Sequence, residues 1–374
     1  MSNDDLHDTP LRPEHEKLGA RLVAFGGWRM PVQYGSILEE HQAVREAAGL
    51  FDISHMGEVV VRGPNAGAVL NRLLTNNVDK LAVGQGQYTL MLNADGGVID
   101  DLLLYRVGEE EFFLVINAAK IDEDVAWMEA QLAALGIGSY TFEHLSAAFG
   151  AMALQGPRAE DVLSVFFEQH TVTLPGRNAM IRTPWQDLDL LIARTGYTGE
   201  DGFEIFMPAE AAGRVWEALC RHGAVLGLKA AGLGARNTLR LEACLPLNGQ
   251  DLLPTHTPIE AGLGRFVSTK KEPDFPGKEV CRLQREEGPA RRLVAFKMLD
   301  RGAPPREHYP LLAEGRAIGE VTSGCLSPTL GFGIGLGYVP ADYATVGRRL
   351  EMQVRQAMVE LEIVPKPFYQ REPA

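Results

Sequence analysis

The stretch Asn93 to Asn117, NADGGVIDDLLLYRVGEEEFFLVIN, leaves a folded chain few choices. Asn93, Asp95, Gly96 and Gly97 form a turn cluster, because Gly and Asn/Asp tolerate the positive φ of tight turns. Val98 to Val107 reads as a strand, Gly108 to Glu111 as a polar turn, and Phe112 to Ile116 as a second, wholly apolar strand. The segment is therefore a β-hairpin, and its anomaly is Asp100-Asp101 between Ile99 and Leu102. Strand side chains alternate between faces, so one acid must share the side of Leu103 and Tyr105. Alternation assigns that side to Asp101 and the opposite one to Asp100. A carboxylate among Leu and Ile is costly to desolvate unless a cation or hydrogen-bond donor meets it. The alternative is an edge strand with both acids in water.

A chain of 374 residues has room for two or three domains. Its 40 glycines imply many turns, hence a β-rich or α+β fold. The net charge of −13 argues against nucleic acid or an anionic membrane as main partner. Cys220, Cys244, Cys281 and Cys325 are scattered with no C-x-x-C pair, which suits reduced thiols rather than a disulfide framework or a zinc site. The nine histidines show no metal-binding spacing, so no metal is expected. The N-terminal stretch is acidic and resembles neither a secretory signal nor a transit peptide, and no run approaches a membrane span. A cytoplasmic location is the expectation.

Ser36 with Glu39 reads as a capping box opening a helix that closes at Gly49. Leu50 to Val61 reads as one strand of alternating apolar and polar residues, interrupted at Ser54-His55-Met56-Gly57. Asp122 to Leu135 is an amphipathic helix with Val125, Met128, Leu132 and Leu135 on one face. A strand over 187–193 leads into Arg194 to Ile205, where three glycines in seven residues force a tight loop before the next strand. Pro208 to Leu226 and Ala230 to Leu245 read as helices, the first with Ala211, Val215, Trp216 and Leu219 inward and the second with Arg236 and Arg240 on one face. Glu272 to Gly277 and the charged run Arg282 to Glu287 look like a boundary. From Arg291 to about residue 368, short strands and turns predict a small all-β barrel. The glycine-dense Gly331 to Gly337 has the wrong phase and context for a dinucleotide fingerprint.

The remaining chemistry lies in polar groups set in apolar or glycine-rich contexts. Asn117 ends an apolar strand and must find partners for its amide. Tyr88 and Tyr105 offer flat faces for a ring. Glu204 lies between Phe203 and Ile205, and Arg236 lies on a helix among small residues. A carboxylate with a guanidinium can read a 2-amino-4-oxo heterocycle, because Glu accepts from adjacent N–H groups and Arg donates to a carbonyl. The plain alternative is that the two pair with each other or with backbone.

Several further stretches carry a resemblance. They are Gly49 to Glu58 (GLFDISHMGE), Gly96 to Leu102 (GGVIDDL), Arg194 to Ile205, Leu239 to Ala243, Asp274 to Glu279, Gly319 to Gly324 and Ser327 to Gly331. In this order they resemble the aminomethyltransferase (T-protein) family of the glycine cleavage system, from near residue 8 to the end. The resemblance implies a three-lobed α+β fold: two interleaved α/β lobes around a central folate cavity, and a C-terminal β-barrel. The expected division is 1–285 for the folate-binding region and 286–374 for the barrel. Carried over by position, Asp101 would be the acid beside the reacting nitrogens of tetrahydrofolate. Glu204 and Arg236 would grip the pterin, and Asn117, Tyr88, Tyr105 and Tyr197 would line the cavity. Met56 would sit against the pterin, and Arg371 would reach in from the tail. Asn248 and Arg265 stand where the family pattern calls for aromatics, which bears on docking rather than chemistry. The implied reaction moves the methylene of an aminomethyl group, carried on the lipoyl arm of the H-protein, to tetrahydrofolate with release of ammonia and without a metal. A folate-dependent demethylase of the same fold is the competing enzyme, disfavoured by the full run of these motifs. A folate-binding iron–sulfur assembly protein would need a cysteine that the segment Pro273 to Glu279 lacks.

Overall fold

The computed structural model describes residues 6–167 and 172–371. They fall into two compact units that alternate along the chain. The first takes the residues up to Leu73, Asn77–Thr89 and Asp101–Arg236; the second takes Leu74–Asn76, Leu90–Asp100 and the chain from Asn237 on. One of the switches between units thus falls between Asp100 and Asp101.

In the first unit a six-stranded sheet runs in the order Met180–Trp185, Leu188–Ala193, Gly202–Pro208, Phe149–Gln155, Ala48–Asp52, Leu228–Ala230. Leu154, Phe203 and Ile205 belong to the same core as Phe166 of the helix Ala159–Phe166 and Val215, Trp216 and Leu219 of the helix Ala212–Gly223. The apolar stripe expected over 208–226 is therefore the one that is buried. A five-stranded sheet runs Gly86–Leu92, Val98–Gly108, Glu111–Ile116, Gly57–Arg62, Thr141–His144. Its register sets Leu103 opposite Val115 and Tyr105 opposite Phe113. The Phe113 ring meets Phe206 of the six-stranded sheet edge-on, with centroids 5.2 Å apart. The face of Leu103 and Tyr105 is thus turned towards the other sheet, and Asp101 shares it by alternation.

Several local readings need correction. The helix Ile37–Glu46 stops before Gly49, which lies in the strand Ala48–Asp52. A Cβ at Gly49 would come within 2.4 Å of Val44 Cγ2, so the glycine answers a close approach rather than a helix end. Ser36 stands at the N-cap without a side-chain bond. Glu40, not Glu39, turns back, accepting from the backbone N–H groups of Tyr34, Gly35 and Gly232. The stretch 50–61 is two strands in two different sheets. Residues 57–61 are all buried, so no alternation marks the change. The helix carrying Arg236 begins at Leu233, because Leu228–Ala230 joins the six-stranded sheet. The charged run at 282–287 is the solvated half of a helix, Lys278–Glu287, that buries Cys281.

The second unit holds the expected barrel. It is closed by Arg291–Met298, Gly333–Pro340, Arg316–Leu326, Pro310–Ala313, Arg349–Val354 and Ala357–Val364, every neighbour antiparallel. Leu350, Met352 and Val354 point inwards with Leu361 and Ile363, as their alternation requires. The glycines of 331–337 are explained here: a Cβ at Gly335 would lie 2.5 Å from the Phe296 ring, and one at Gly337 2.6 Å from Glu320 O. Outside the barrel wall, Arg240 is buried and donates from Nη1 to Asp251 (2.8 Å) and from Nη2 to Ser323 Oγ (2.9 Å). Glu242 accepts from Thr329 Oγ1 at 2.7 Å. These buried charges are matched by donors and acceptors, the condition under which burial is tolerable.

Candidate active site

The hairpin delivers its odd-numbered acid to the inter-sheet side. Tyr88 OH donates to Asp101 Oδ2 at 2.9 Å, and Asn117 Nδ2 donates to Asp101 O at 2.8 Å and to Oδ1 at 3.2 Å. Both carboxylate oxygens are therefore held by neutral donors from neighbouring strands, which fixes the group without neutralising it. Asp100, on the other face, is fully buried. Asp101, Tyr88 and Asn117 are each half-buried, so the triad reaches a surface.

The second cluster comes from the six-stranded sheet. Glu204 lies on Gly202–Pro208, opposite Ala153 and Ala193, whose small side chains leave the carboxylate room. Thr195 Oγ1 donates to Glu204 Oε2 at 2.6 Å. Since the single Thr195 proton is used there, the 2.9 Å contact between Tyr105 OH and Thr195 Oγ1 has the tyrosine as donor. The Tyr105 ring itself is fully buried, and the residue takes part through its hydroxyl. Burial raises the Glu204 carboxyl above its ordinary range, while the Thr195 bond and the charge of Arg236 pull it down. Thr195 is thus a hydrogen-bonded partner of Glu204, and Arg236 lies over the Tyr197 ring, 4.7 Å from its centroid.

The glycine loop that carries Tyr197 is rigid. Gln155, fully buried, donates from Nε2 to Thr195 O (3.0 Å) and accepts from Thr198 Oγ1 (2.9 Å). Arg45 binds Thr198 O and Glu200 at 2.8 Å each. A Cβ at Gly196 would lie 1.9 Å from Gln155 Oε1, and Gly199 has φ +80°. Glycine is required at both positions for different reasons.

Eight of the nine residues named from the sequence lie in the first unit. Asp101, Asn117 and Tyr88 form one hydrogen-bonded set; Tyr105 and Glu204 form another through Thr195; Arg236 stacks on Tyr197. Tyr105 lies two pleats along the same strand face from Asp101. Met56 follows the strand Ala48–Asp52 and is half-buried. Arg371 is exposed at the end of the second unit. Sequence reasoning missed Thr195, which sits in the loop with no local feature to distinguish it from Thr198. It also missed the buried His55. Among the described residues no group of three or more His, Cys, Asp or Glu could hold a metal ion. No described helix is long and apolar enough to cross a membrane.

Fixed acids, a stacked guanidinium and aromatic faces are gathered within one α/β unit of a chain whose other unit holds a β-barrel. Residues 11–271 match the GCVT N-terminal domain, and residues 291–370 the glycine cleavage T-protein C-terminal barrel domain. An aminomethyltransferase of Geobacillus kaustophilus is 48% identical over 98% of this chain and 99% of its own. One from Desulfitobacterium hafniense is 47% identical with the same coverage. The crystal structure of the glycine cleavage system aminomethyltransferase T from Bartonella henselae superposes with a TM-score of 0.90, at 37% identity over 98% of each chain. The chain belongs to the glycine cleavage T-protein family, the aminomethyltransferases.

Proposed function

We propose that this chain transfers the methylene of an aminomethyl group, carried as a thioether on the lipoyl arm of the H-protein, to tetrahydrofolate. The observation that carries the reading is the pairing within one unit of a buried carboxylate, Glu204, with a guanidinium stacked on Tyr197, beside an acid held by Tyr88 and Asn117. Glu204 Oε2 is engaged by Thr195, and the carboxylate retains acceptor capacity for the adjacent N–H groups of a 2-amino-4-oxo ring. The planar fork of Arg236 suits a ring carbonyl. The residues present therefore fit a pterin. In this reading Tyr197, Tyr88 and Met56 contribute packing surface, and Tyr105 holds the Glu204 side through Thr195. Residues 1–285 supply the folate site and 286–374 the barrel.

Bound tetrahydrofolate supplies the two nitrogens, N5 and N10, that take up the methylene. The balance is simple: the C–S and C–N bonds of the aminomethyl thioether break, two N–C bonds form, and the two nitrogen-bound protons end on ammonia and the lipoyl thiol. Asp101 stabilises positive charge as it develops at the transferred carbon. Its donors, Tyr88 and Asn117, hold both oxygens in place so that no reorganisation is needed in the transition state. Asp101 is a poor nucleophile in this setting, since both oxygens already accept hydrogen bonds.

Calorimetric titration of tetrahydrofolate into the wild type, Glu204→Gln and Arg236→Lys, with a thermal melt of each, tests the site. Both variants are expected to bind more weakly. Glu204→Gln turns a donor towards donors, at a cost of about 1–3 kcal/mol for an unpaired buried group. Unchanged affinity with lowered melting temperatures would reduce both residues to structural roles.

A further inference from the structure

The turn Asp52-Ile53-Ser54-His55-Met56 is held more firmly than the packing of Met56 requires. Asp52, buried at the end of its strand, accepts from Thr9 Oγ1 (2.7 Å) and His15 Nε2 (2.8 Å) at Oδ2, and from Ser54 N (2.8 Å) at Oδ1. Ser54 Oγ and the backbone of Ala151 exchange hydrogen bonds of 3.1 and 3.0 Å. Met56 N closes the turn on Ile53 O at 3.0 Å. Six hydrogen bonds thus set the direction of the one polar side chain in the turn with no hydrogen bond of its own among the described residues, His55.

His55 is 2% exposed and meets the Phe25 ring edge-on at 5.8 Å. Its Nδ1 is sealed away without a partner, whereas Nε2 is not sealed and makes no hydrogen bond to any described residue. The charged groups facing the ring are Asp52 and Arg236. The Asp52 oxygens are already occupied, which leaves Nε2 uncommitted in the neighbourhood of Arg236. Burial first, and then the Arg236 charge, push the imidazole down to about 4 against the opposing pull of Asp52. The ring is neutral at pH 7. A sealed N–H costs more than a sealed lone pair, so the single proton sits on Nε2.

We infer that His55 Nε2–H is a further binding donor of this site, acting beside Arg236 on a carbonyl oxygen of the bound heterocycle. It is a specificity-determining residue that selects a 4-oxo over a 4-amino pterin. The inference rests on the folate reading above. Two neighbouring donors accept an oxo group and repel an amino group, and a neutral imidazole beside a guanidinium avoids like-charge repulsion. Buried sites that hydrogen-bond a substrate group discriminate strongly when the group is replaced, because their own polar atoms are left unpaired.

The test titrates tetrahydrofolate and its 4-amino-4-deoxy analogue into the wild type, His55→Phe and His55→Gln. Phenylalanine keeps the packing against Phe25, and glutamine places an amide N–H near the position of Nε2. His55→Phe is expected to weaken tetrahydrofolate binding by about tenfold, the size of one lost hydrogen bond, and to shrink the preference over the 4-amino analogue by a similar factor. His55→Gln should retain most of both. Should His55→Phe fail to fold, 15N spectra of histidine-labelled wild type replace it, with the His55 signals assigned by their absence in His55→Gln. Tetrahydrofolate should then shift Nε2 and leave Nδ1 in place. A His55→Phe variant that binds and discriminates like the wild type, or ring nitrogens that do not move on titration, overturns the inference. A wild type that binds no tetrahydrofolate overturns the folate reading itself, a result distinct from either.

Discussion

The buried pair of His15 and Asp52 offers the sharpest test of how the first unit holds its site. Both side chains are fully buried at 2.8 Å, and the His15 Nδ1 contacts Tyr34 OH at 2.9 Å. His15→Leu removes the partner of a carboxylate that stays buried, and breaking such a pair from one side costs about 3–5 kcal/mol. The Thr9 and Ser54 bonds remain, which places the expectation at the lower end. At 2–4 °C per kcal/mol for a unit of this size, the melting transition should fall by on the order of 10 °C. Despite burial, the His15 partner holds the Asp52 carboxyl below its ordinary range in the wild type. Its contribution to stability is therefore complete above about pH 4 and is lost as the pH falls through the folded value. In His15→Leu, burial acts unopposed by the imidazole and raises the folded value, so the deficit relative to wild type should be largest near pH 7 and shrink towards pH 4. The double variant His15→Leu/Asp52→Asn removes the orphaned charge while keeping an acceptor for Ser54 N, and should recover most of the loss. Denaturant unfolding followed across pH 4–8 measures all three. A single variant costing under about 1 kcal/mol, or a double variant no better than the single, would refute the reasoning.

Two further expectations follow from the hairpin. Asp100→Asn, on the face opposite Asp101, should lower the melting temperature while leaving turnover of the folded protein near wild type; loss of activity without loss of stability would mean that the strand register is off by one. Tyr105→Phe deletes the hydroxyl that donates to Thr195 and should cost about 1 kcal/mol of stability. It should weaken tetrahydrofolate binding severalfold, as read by calorimetry, because Thr195 then positions Glu204 without support; unchanged binding would remove Tyr105 from the site.

What was legible in the sequence divides along a physical line. The barrel and the stripe of Val215, Trp216 and Leu219 declare themselves by periodicity, because one face of each is inward and the other is not, and the hairpin declares itself by its turn residues. Leu50 to Val61 conceals a change of sheet because its second strand is buried on both faces. Gly49 misleads because glycine at a helix end and glycine under a side chain look alike in one dimension. The resemblance supplied site residues that local physics could only suggest, such as Glu204 and Arg236. Thr195 and the Asp52 network stayed invisible to both. His15 and Asp52 are 37 residues apart and Thr9 and Asp52 are 43 apart. Nothing in the local composition of a histidine on a short helix announces a partner that far away.

The central claim is that a fixed carboxylate in the first unit drives transfer of the methylene to folate. Single-turnover release of ammonia and methylene-tetrahydrofolate from aminomethylated H-protein, with wild type and Asp101→Asn and with and without tetrahydrofolate, tests it most directly. The account predicts equal amounts of the two products from the wild type when tetrahydrofolate is present. It predicts at least a tenfold slower rate for Asp101→Asn, about 1.4 kcal/mol or more of lost transition-state stabilisation, with folate affinity changed less. A wild-type rate in Asp101→Asn, or ammonia released as fast without tetrahydrofolate, would contradict it.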